Sequence, residues 1–222
     1  MGARFLDDAA RVAFQGAVEA IEGAAAVEVV IAVRRRSAGY LHANLIVGAV
    51  VAFASLAAML FSAYPFGLTS ILVDPFVVGA LVGWLVELVP AAKRLLTPAG
   101  VRRRVVHHAA HAAFVERGVH TTTDRSGVLV YIAWLEGEVA LVADVGVEGT
   151  VPEGALAEAE AALTRAMPRG GAAVAAALAA LAPTFAEAMP RRAGDVNELS
   201  DAIDSDLARP RPLRSRPPRR TI

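Results

Sequence analysis

The chain has 222 residues, no cysteine, 22 basic and 22 acidic side chains, and 55% apolar residues. This length suits one medium domain with additions. Zero net charge removes any bulk electrostatic argument for nucleic-acid binding, and the absence of cysteine excludes disulfides, thiolate metal sites and a cysteine nucleophile.

The N-terminal region predicts a helix and then a strand. Apolar residues recur every three or four positions from Leu6 to Ile21, which is the stripe of an amphipathic helix, and Gly23 is a plausible end. Asp7 and Asp8 suit the helix start, and they interrupt the apolar run that a secretory signal needs. Residues 26–32 are apolar and rich in β-branched side chains, so we expect a buried strand there.

The next segment, residues 37–92, predicts a transmembrane hairpin because its only acidic or basic side chains besides histidine are Asp74 and Glu87. The two spans are expected over residues 41–63 and 72–89. Asp74 and Pro75 are interpreted as the start of the second helix, which puts Asp74 near the lipid surface. Glu87 is expected near the opposite surface, paired with Lys93 or Arg94. The alternative for both acids is an intramembrane proton or ion site.

Glycines and arginines add detail to this hairpin. Gly79 with Gly83, and Gly48 with Ala52, are small-residue pairs that let two helices approach closely. Arginines precede the first span and follow the second, whereas the turn between them has no basic residue. Positive residues are retained in the cytoplasm, so we expect a multi-pass protein of the plasma membrane with both termini cytoplasmic.

Beyond the hairpin, the pattern predicts a helix over residues 101–117 that ends at Gly118. Two strands over residues 127–135 and 138–144 follow, joined as a β-hairpin at Glu136 and Gly137. Pro152 opens a helix that runs to Met167. An Ala-rich helix over residues 172–189, bent at Pro183, is expected to be too short in its apolar run to span a bilayer.

These elements predict an α/β fold in which a mixed three- to four-stranded sheet is flanked by helices. The first strand pairs parallel with the second because a helical crossover connects them. Residues 1–36 and 93–207 form one domain, and the transmembrane hairpin of residues 37–92 is inserted into it. Residues 208–222 are rich in arginine and proline and are expected to be a disordered tail that contacts anionic lipid.

Three stretches of the chain resemble the TPM domain family, in particular its bacterial membrane members with a transmembrane pair after the first strand. The first is residues 17–33, with Glu22 at the helix end and Glu28 at the strand entry. The second is residues 113–147, in which Ser126 and Val147 replace the usual Thr and Ile. The third is Met189-Pro190 with the later sequence Asp195-Val196-Asn197-Glu198-Leu199.

The resemblance implies an α/β/α layered module. Some relatives look like weak acid phosphatases, some bind calcium, and several act in the assembly or repair of membrane complexes. Many of them are extracytoplasmic, whereas the charge bias of this chain favours the cytoplasm.

One group of acids is the candidate for chemistry. Asp124 precedes one strand and Asp144 ends its hairpin partner, so both lie at the open end of the β-hairpin, with Arg125 and Glu148 nearby in sequence. Carboxylates gathered there could bind Ca²⁺ or Mg²⁺, or could serve phosphoryl transfer with such a metal. The alternative is that these acids only cap loops and aid solubility. Glu28 is not expected to join this group.

Two other groups are weaker candidates. His107 and His111 share a helix face, as the ligands of a transition metal would, but with His108 they follow an arginine cluster and are interpreted as interfacial polar residues. Asn197 is expected to cap a last short helix that runs through Leu207.

The functional hypothesis is therefore a membrane-anchored TPM-like domain that binds or assembles a membrane-protein partner at the cytoplasmic surface, with no established catalysis. The alternative is a weak metal-dependent phosphatase that uses Asp124 and Asp144.

Overall fold

The computed structural model describes residues 5–39, 41–86, 88–89, 94–192, 197–200 and 202–207, and for residues 41–43 it describes the backbone alone. The chain forms two compact units. One comprises Met1–Arg36 and Val106–Ile222, and the other comprises Ser37–Val105. Glu87, Lys93, Asp195 and the tail of residues 208–222 lie outside the described residues.

The first unit is built on a four-stranded mixed sheet in the order β3-β2-β1-β4. The strands are β1 (Glu28–Arg34), β2 (Gly127–Ala133), β3 (Glu138–Ala143) and β4 (Asp204–Ser205). Strand β1 pairs parallel with β2, from Glu28 opposite Gly127 to Arg34 opposite Ala133. Strand β3 is antiparallel to β2. The predicted mixed α/β class, the parallel pairing of β1 with β2 and the β-hairpin of β2 and β3 are therefore confirmed.

Helices cover both faces of this sheet. They are α1 (Asp8–Ala24), α4 (Ala99–Glu116), the single turn α5 (Val145–Glu148), α6 (Ala155–Ala166), α7 (Gly171–Ala179) and α8 (Ala182–Ala188). Alternate residues of β1 and β2 enter two separate cores because successive side chains of a strand point to opposite faces. Val29, Ile31 and Val33 lie in the larger core with α1 and α6 to α8. Val30 and Ala32 lie in the smaller core with α4.

Local signals explain where the first and fourth helices begin and end. Asp7 caps α1 because its carboxylate accepts a hydrogen bond from the backbone nitrogen of Ala10 at 2.8 Å. Phe14 and Ile21 of α1 are fully buried, as the stripe predicts. Gly118, at φ +65°, ends α4 as predicted, because this left-handed conformation suits glycine.

The second unit contains two apolar helices, α2 (Leu41–Leu60) and α3 (Leu68–Val86). They approach at their glycines: a Cβ built on Gly79 would lie 2.5 Å from the carbonyl oxygen of Gly48, and one on Gly83 would lie 2.8 Å from that of Asn44. The close approach predicted from the small-residue pairs is confirmed.

The predicted start of the second hairpin helix is wrong. Helix α3 begins at Leu68, and Asp74 and Pro75 lie inside it. Pro75 removes only the hydrogen bond to the carbonyl of Ile71, and the apolar residues before it continue the helix. Pro75 is buried, whereas Asp74 is exposed.

By length and composition alone, Leu68–Val86 and Gly171–Ala188 could each cross a membrane, and α2 is similarly apolar along Asn44–Leu60. The expectation that the apolar run of the Ala-rich segment is too short to span a bilayer is therefore wrong as far as its length and composition are concerned. This segment is interrupted between α7 and α8, just before Pro183, and its residues Val174, Leu178 and Phe185 are buried in the larger core.

The end of the described chain also differs from the prediction. Residues 204–205 form strand β4, parallel to β1, instead of a helix that runs through Leu207. The physical reason is that Asp204 and Asp206 bind the end of β1. The Asp206 carboxylate accepts a hydrogen bond from the Arg35 nitrogen at 2.6 Å, and Asp204 pairs with the Arg34 guanidinium.

Candidate functional site

Asp144 lies at the end of β3 and caps the single-turn helix α5. Its Oδ1 accepts a hydrogen bond from the backbone nitrogen of Val145 at 2.8 Å and lies 2.9 Å from Nη2 of Arg125. Asp144 is 3% exposed, and its Oδ2 is buried without a hydrogen-bond partner among the residues that the structure describes. Capping and pairing with Arg125 thus use one oxygen and leave the other unsatisfied.

The loop before β2 is shaped to bring Arg125 to this carboxylate. Arg125 has φ +54°, and no other described residue besides glycine has a positive φ. The backbone nitrogen of Gly146 donates to the Arg125 carbonyl at 3.2 Å. A Cβ on Gly146 would lie 2.4 Å from the carbonyl oxygen of Asp124, so only glycine allows this approach. Strained residues of this kind cluster at functional sites.

Asp124 and Glu148 lie close to Asp144 along the chain but differ from it in environment. Asp124 is exposed and borders two open cavities of about 210 Å³ and 300 Å³. Glu148 is the exposed last residue of α5. No three histidine, aspartate or glutamate side chains in the described segments are grouped so that they could hold a metal ion.

The smaller cavity is acidic and lies at the amino ends of the parallel strands β1 and β2. Its lining includes Glu19, Glu22, Glu28, Asp124 and Glu198. The expectation that Glu28 stands apart from Asp124 is therefore wrong. Parallel pairing starts both strands at one edge, and the Glu28 nitrogen donates to the Ser126 carbonyl at 3.1 Å.

Three of these carboxylates fasten the segment of residues 197–199 to the domain. Glu22 accepts from the Val29 nitrogen at 3.0 Å and from the Asn197 amide at 3.1 Å. Glu28 accepts from the Leu199 nitrogen at 3.2 Å. Glu198 accepts from the Thr123 nitrogen and hydroxyl, both at 3.1 Å through Oε2. The predicted cap at Asn197 is therefore a contact with Glu22 instead.

The histidine group includes a contact with α6 that the sequence pattern does not predict. Nε2 of His107 lies 3.0 Å from Oε1 of Glu160, and the ring of His111 is 6.5 Å from that of His107. Glu160 is 6% exposed and belongs to α6. The sequence does contain a signal for one side of this contact. Glu160 follows the apolar Ala159 and precedes Leu163 by three residues, which places it on the side of α6 that faces the core.

A further charged cluster joins the end of β1 to β4. The Asp204 carboxylate pairs with both Arg34 and Arg117. Burial, and secondly the nearby positive charge of Arg34, lower the pKa of the Arg117 guanidinium. Asp204 thus offsets the repulsion between two partly buried cations.

The fold and its site define a class: an α/β domain with a mixed four-stranded sheet between helical layers, and an acidic cavity at the amino ends of its parallel strands. No family model matches the chain, and no curated protein matches its sequence. One solved structure is similar, the NMR structure of the BA42 protein from the psychrophilic bacterium Bizionia argentinensis. It is 13% identical, with a TM-score of 0.54 over 90% of this chain and 95% of that one. This likeness supports the fold alone.

Proposed function

We propose that this chain is a membrane-anchored, TPM-like α/β domain whose two apolar helices α2 and α3 cross the plasma membrane. In this proposal the domain lies in the cytoplasm and acts as a binding or assembly module for a membrane-protein partner.

The observation that carries the proposal is the exposed apolar surface of the hairpin. On α2, Val50 and Phe53 are 62% and 73% exposed, and on α3, Phe76 and Trp84 are both 63% exposed. Because the helices meet at glycines, their large side chains point away from the contact between them. Monomeric soluble proteins rarely expose contiguous apolar patches above a few hundred Å². Lipid is the solvent that suits a surface of this kind.

The orientation rests on the flanking arginines. Arg34, Arg35 and Arg36 precede the hairpin, and Arg102, Arg103 and Arg104 follow it, whereas residues 61–67 between the helices have no charge. This asymmetry favours cytoplasmic flanks. The tail of residues 208–222 would then face anionic lipid of the inner leaflet.

Membrane extraction tests the anchor. We expect the full chain to stay in the pellet after alkaline carbonate treatment of bacterial membranes and to float with lipid in a density gradient. A variant that carries both Phe53→Lys and Phe76→Lys should be released or degraded. The matched control carries Val12→Lys and Val115→Lys, which change equally exposed apolar residues of the other unit. Release of the wild-type chain by carbonate would refute the anchor.

Because the chain has no cysteine, single cysteines can report orientation. In right-side-out vesicles, we expect an impermeant maleimide to label Ala63→Cys, between the helices, and not Gln15→Cys on α1. The reverse pattern would contradict a cytoplasmic domain.

A phosphatase remains the second candidate because of two observations, the unsatisfied Oδ2 of Asp144 and the strained backbone of Arg125. The donor set does not fit Ca²⁺ or Mg²⁺ as it stands, since the Arg125 guanidinium is paired with the Asp144 carboxylate and Glu148 is exposed on α5. We therefore derive no step through a metal. The assay is turnover of a generic phosphate ester with and without each ion, comparing wild type with Asp144→Asn. Unchanged turnover in that variant eliminates the site.

A further inference from the structure

Asp74 is a single carboxylate on the outer surface of the apolar helix α3. It is the seventh residue of the helix, so it lies about 9 Å along the axis from Leu68 at 1.5 Å per residue. Asp74 therefore lies inside the helix and not at its start, where the Asp-Pro pair predicts a cap.

The side of α3 that meets α2 includes Pro75, Gly79 and Gly83, which are buried. Asp74 is exposed, and Val77, Val78 and Leu81, one and two turns further along, are 58%, 40% and 54% exposed. Among the described residues, no hydrogen bond or ion pair is formed by the Asp74 carboxylate. The outer face of the helix is therefore apolar with one acid embedded in it.

Residues 37–92 contain no lysine or arginine, and their one histidine, His42, belongs to the first turn of α2, at the end of the hairpin away from the turn that precedes Asp74. A second copy would bring another carboxylate at the same depth, which is a like charge. The complementary group must therefore come from a different chain.

Pro75 has no N–H, so the carbonyl of Ile71 lacks the donor that a regular helix would supply, but this carbonyl lies beneath Pro75 on the side that meets α2. The acceptor that the outer face offers is the Asp74 carboxylate. A lysine ammonium has three donors and an arginine guanidinium has five, so either base can serve both oxygens of a carboxylate, whereas a hydroxyl has one donor.

We propose that the Asp74 face of α3 binds a transmembrane helix of another membrane protein, and that this helix carries a lysine or arginine at the depth of Asp74. Ionisable residues inside membrane segments pair with one another and mark functional contacts. The inference rests on the proposed membrane anchor, and it adds the chemistry of the partner.

The experiment uses the full chain in phosphatidylcholine vesicles, with a fluorescent donor on Ala63→Cys. The probes are synthetic Leu/Ala peptides that span the bilayer once and carry an acceptor dye. One peptide has a lysine six residues from its end, and the matched peptide has leucine there. We expect association with the lysine peptide to be about tenfold tighter. Asp74→Asn should abolish the difference, whereas Ser70→Ala, one turn earlier on α3, should preserve it.

Equal association of both peptides, or a lysine preference that survives Asp74→Asn, would overturn the inference. Asp74-dependent energy transfer between two labelled copies, without any lysine preference, would also overturn it and assign the face to a second copy. Carbonate extraction of the same vesicles separates the two proposals. Wild-type chain that resists extraction but shows no lysine preference refutes the partner alone, and chain that is extracted refutes the anchor and this inference together.

Discussion

The carboxylate of Glu160 lies 3.1 Å from the backbone nitrogen of Leu141, on the outer edge of strand β3. Thr164, one turn later on α6, accepts a hydrogen bond from the Val139 nitrogen at 3.1 Å. Strand β3 is an edge of the sheet, and unpaired N–H groups on an edge invite pairing with another chain. Helix α6 therefore closes this edge with two side chains spaced four residues apart.

Loss of the Glu160 contact should destabilise the domain. Glu160→Leu leaves the buried Leu141 nitrogen without its acceptor, and we expect the free energy of unfolding to fall by about 1–3 kcal/mol. The measurement is urea unfolding of the full chain in detergent, followed by circular dichroism. Glu158→Leu, on the exposed face of the same helix, is the control and should change stability little. Equal losses in both variants would mean that the contact with Leu141 contributes nothing specific.

The Asp204 cluster predicts a second loss of stability. Asp204→Asn removes the negative charge shared by Arg34 and Arg117, so we expect a loss of about 1–2 kcal/mol, since the groups are only partly buried. Asp206→Asn keeps a side-chain acceptor for the Arg35 nitrogen and serves as the milder control. Unchanged unfolding of Asp204→Asn in urea would show that the ion pairs are energetically silent.

The lowered pKa of Arg117 has a defined consequence for pH dependence. A base whose folded pKa is below its unfolded pKa binds fewer protons when folded, so stability rises with pH only between those two values. That window is strongly alkaline. Between pH 6 and 9, the difference in stability between wild type and Arg117→Gln should therefore stay constant. A difference that varies across this range in urea titrations would contradict the assignment.

Close packing of the hairpin helices predicts a strong effect at Gly79. A Cβ there would meet the Gly48 carbonyl at 2.5 Å, so Gly79→Val should cost about 1–3 kcal/mol by overpacking or force the helices apart. The measurement is resistance to sodium dodecyl sulphate in a detergent titration of the full chain. Gly67→Val, between the helices, has no atom within 4 Å of the added carbon and should behave like wild type. Normal resistance of Gly79→Val would refute the glycine contact.

The acidic cavity predicts a change in local opening. Glu22→Gln weakens the contacts with the Val29 nitrogen and the Asn197 amide, which hold residues 197–199 to α1 and β1. Hydrogen exchange at Leu199 and its neighbours should accelerate, while exchange in β2 stays slow. Glu19→Gln is the control, because Glu19 lines the same cavity but fastens no described backbone. Identical exchange in both variants would contradict the fastening role.

How far the sequence could predict this fold is visible in β1 and β2. Both are apolar β-branched runs, and the crossover between them requires parallel pairing, which the register of Glu28 with Gly127 confirms. The turn between β2 and β3 could also be predicted, because the pair Glu136-Gly137 separates two apolar runs. In the structure, Gly137 adopts the left-handed conformation, at φ +68°. These features depend on neighbours close in sequence or on connection length, so local patterns were sufficient.

The candidate site was less predictable. Glu28 and Glu198 are far apart in sequence, and they line one cavity only because the parallel strands start at the same edge and the segment of residues 197–199 returns to it. The position of Asp74 inside α3 differs from the prediction for a related reason. An Asp-Pro pair is a valid helix start in isolation, and the apolar residues before it are what continue α3 through it.

The amino-acid pattern alone determined the order of elements from α1 to β3, the uncharged segment of residues 37–73 and the mixed sheet, since periodicity and chain connection encode them. Tertiary structure alone decided that Asp204 joins β1 as a strand, that Glu160 closes the β3 edge and that one oxygen of Asp144 is left unsatisfied. These outcomes depend on which polar groups meet after the chain has folded. No local spacing encodes contacts between residues more than a hundred positions apart, such as Arg34 and Asp204.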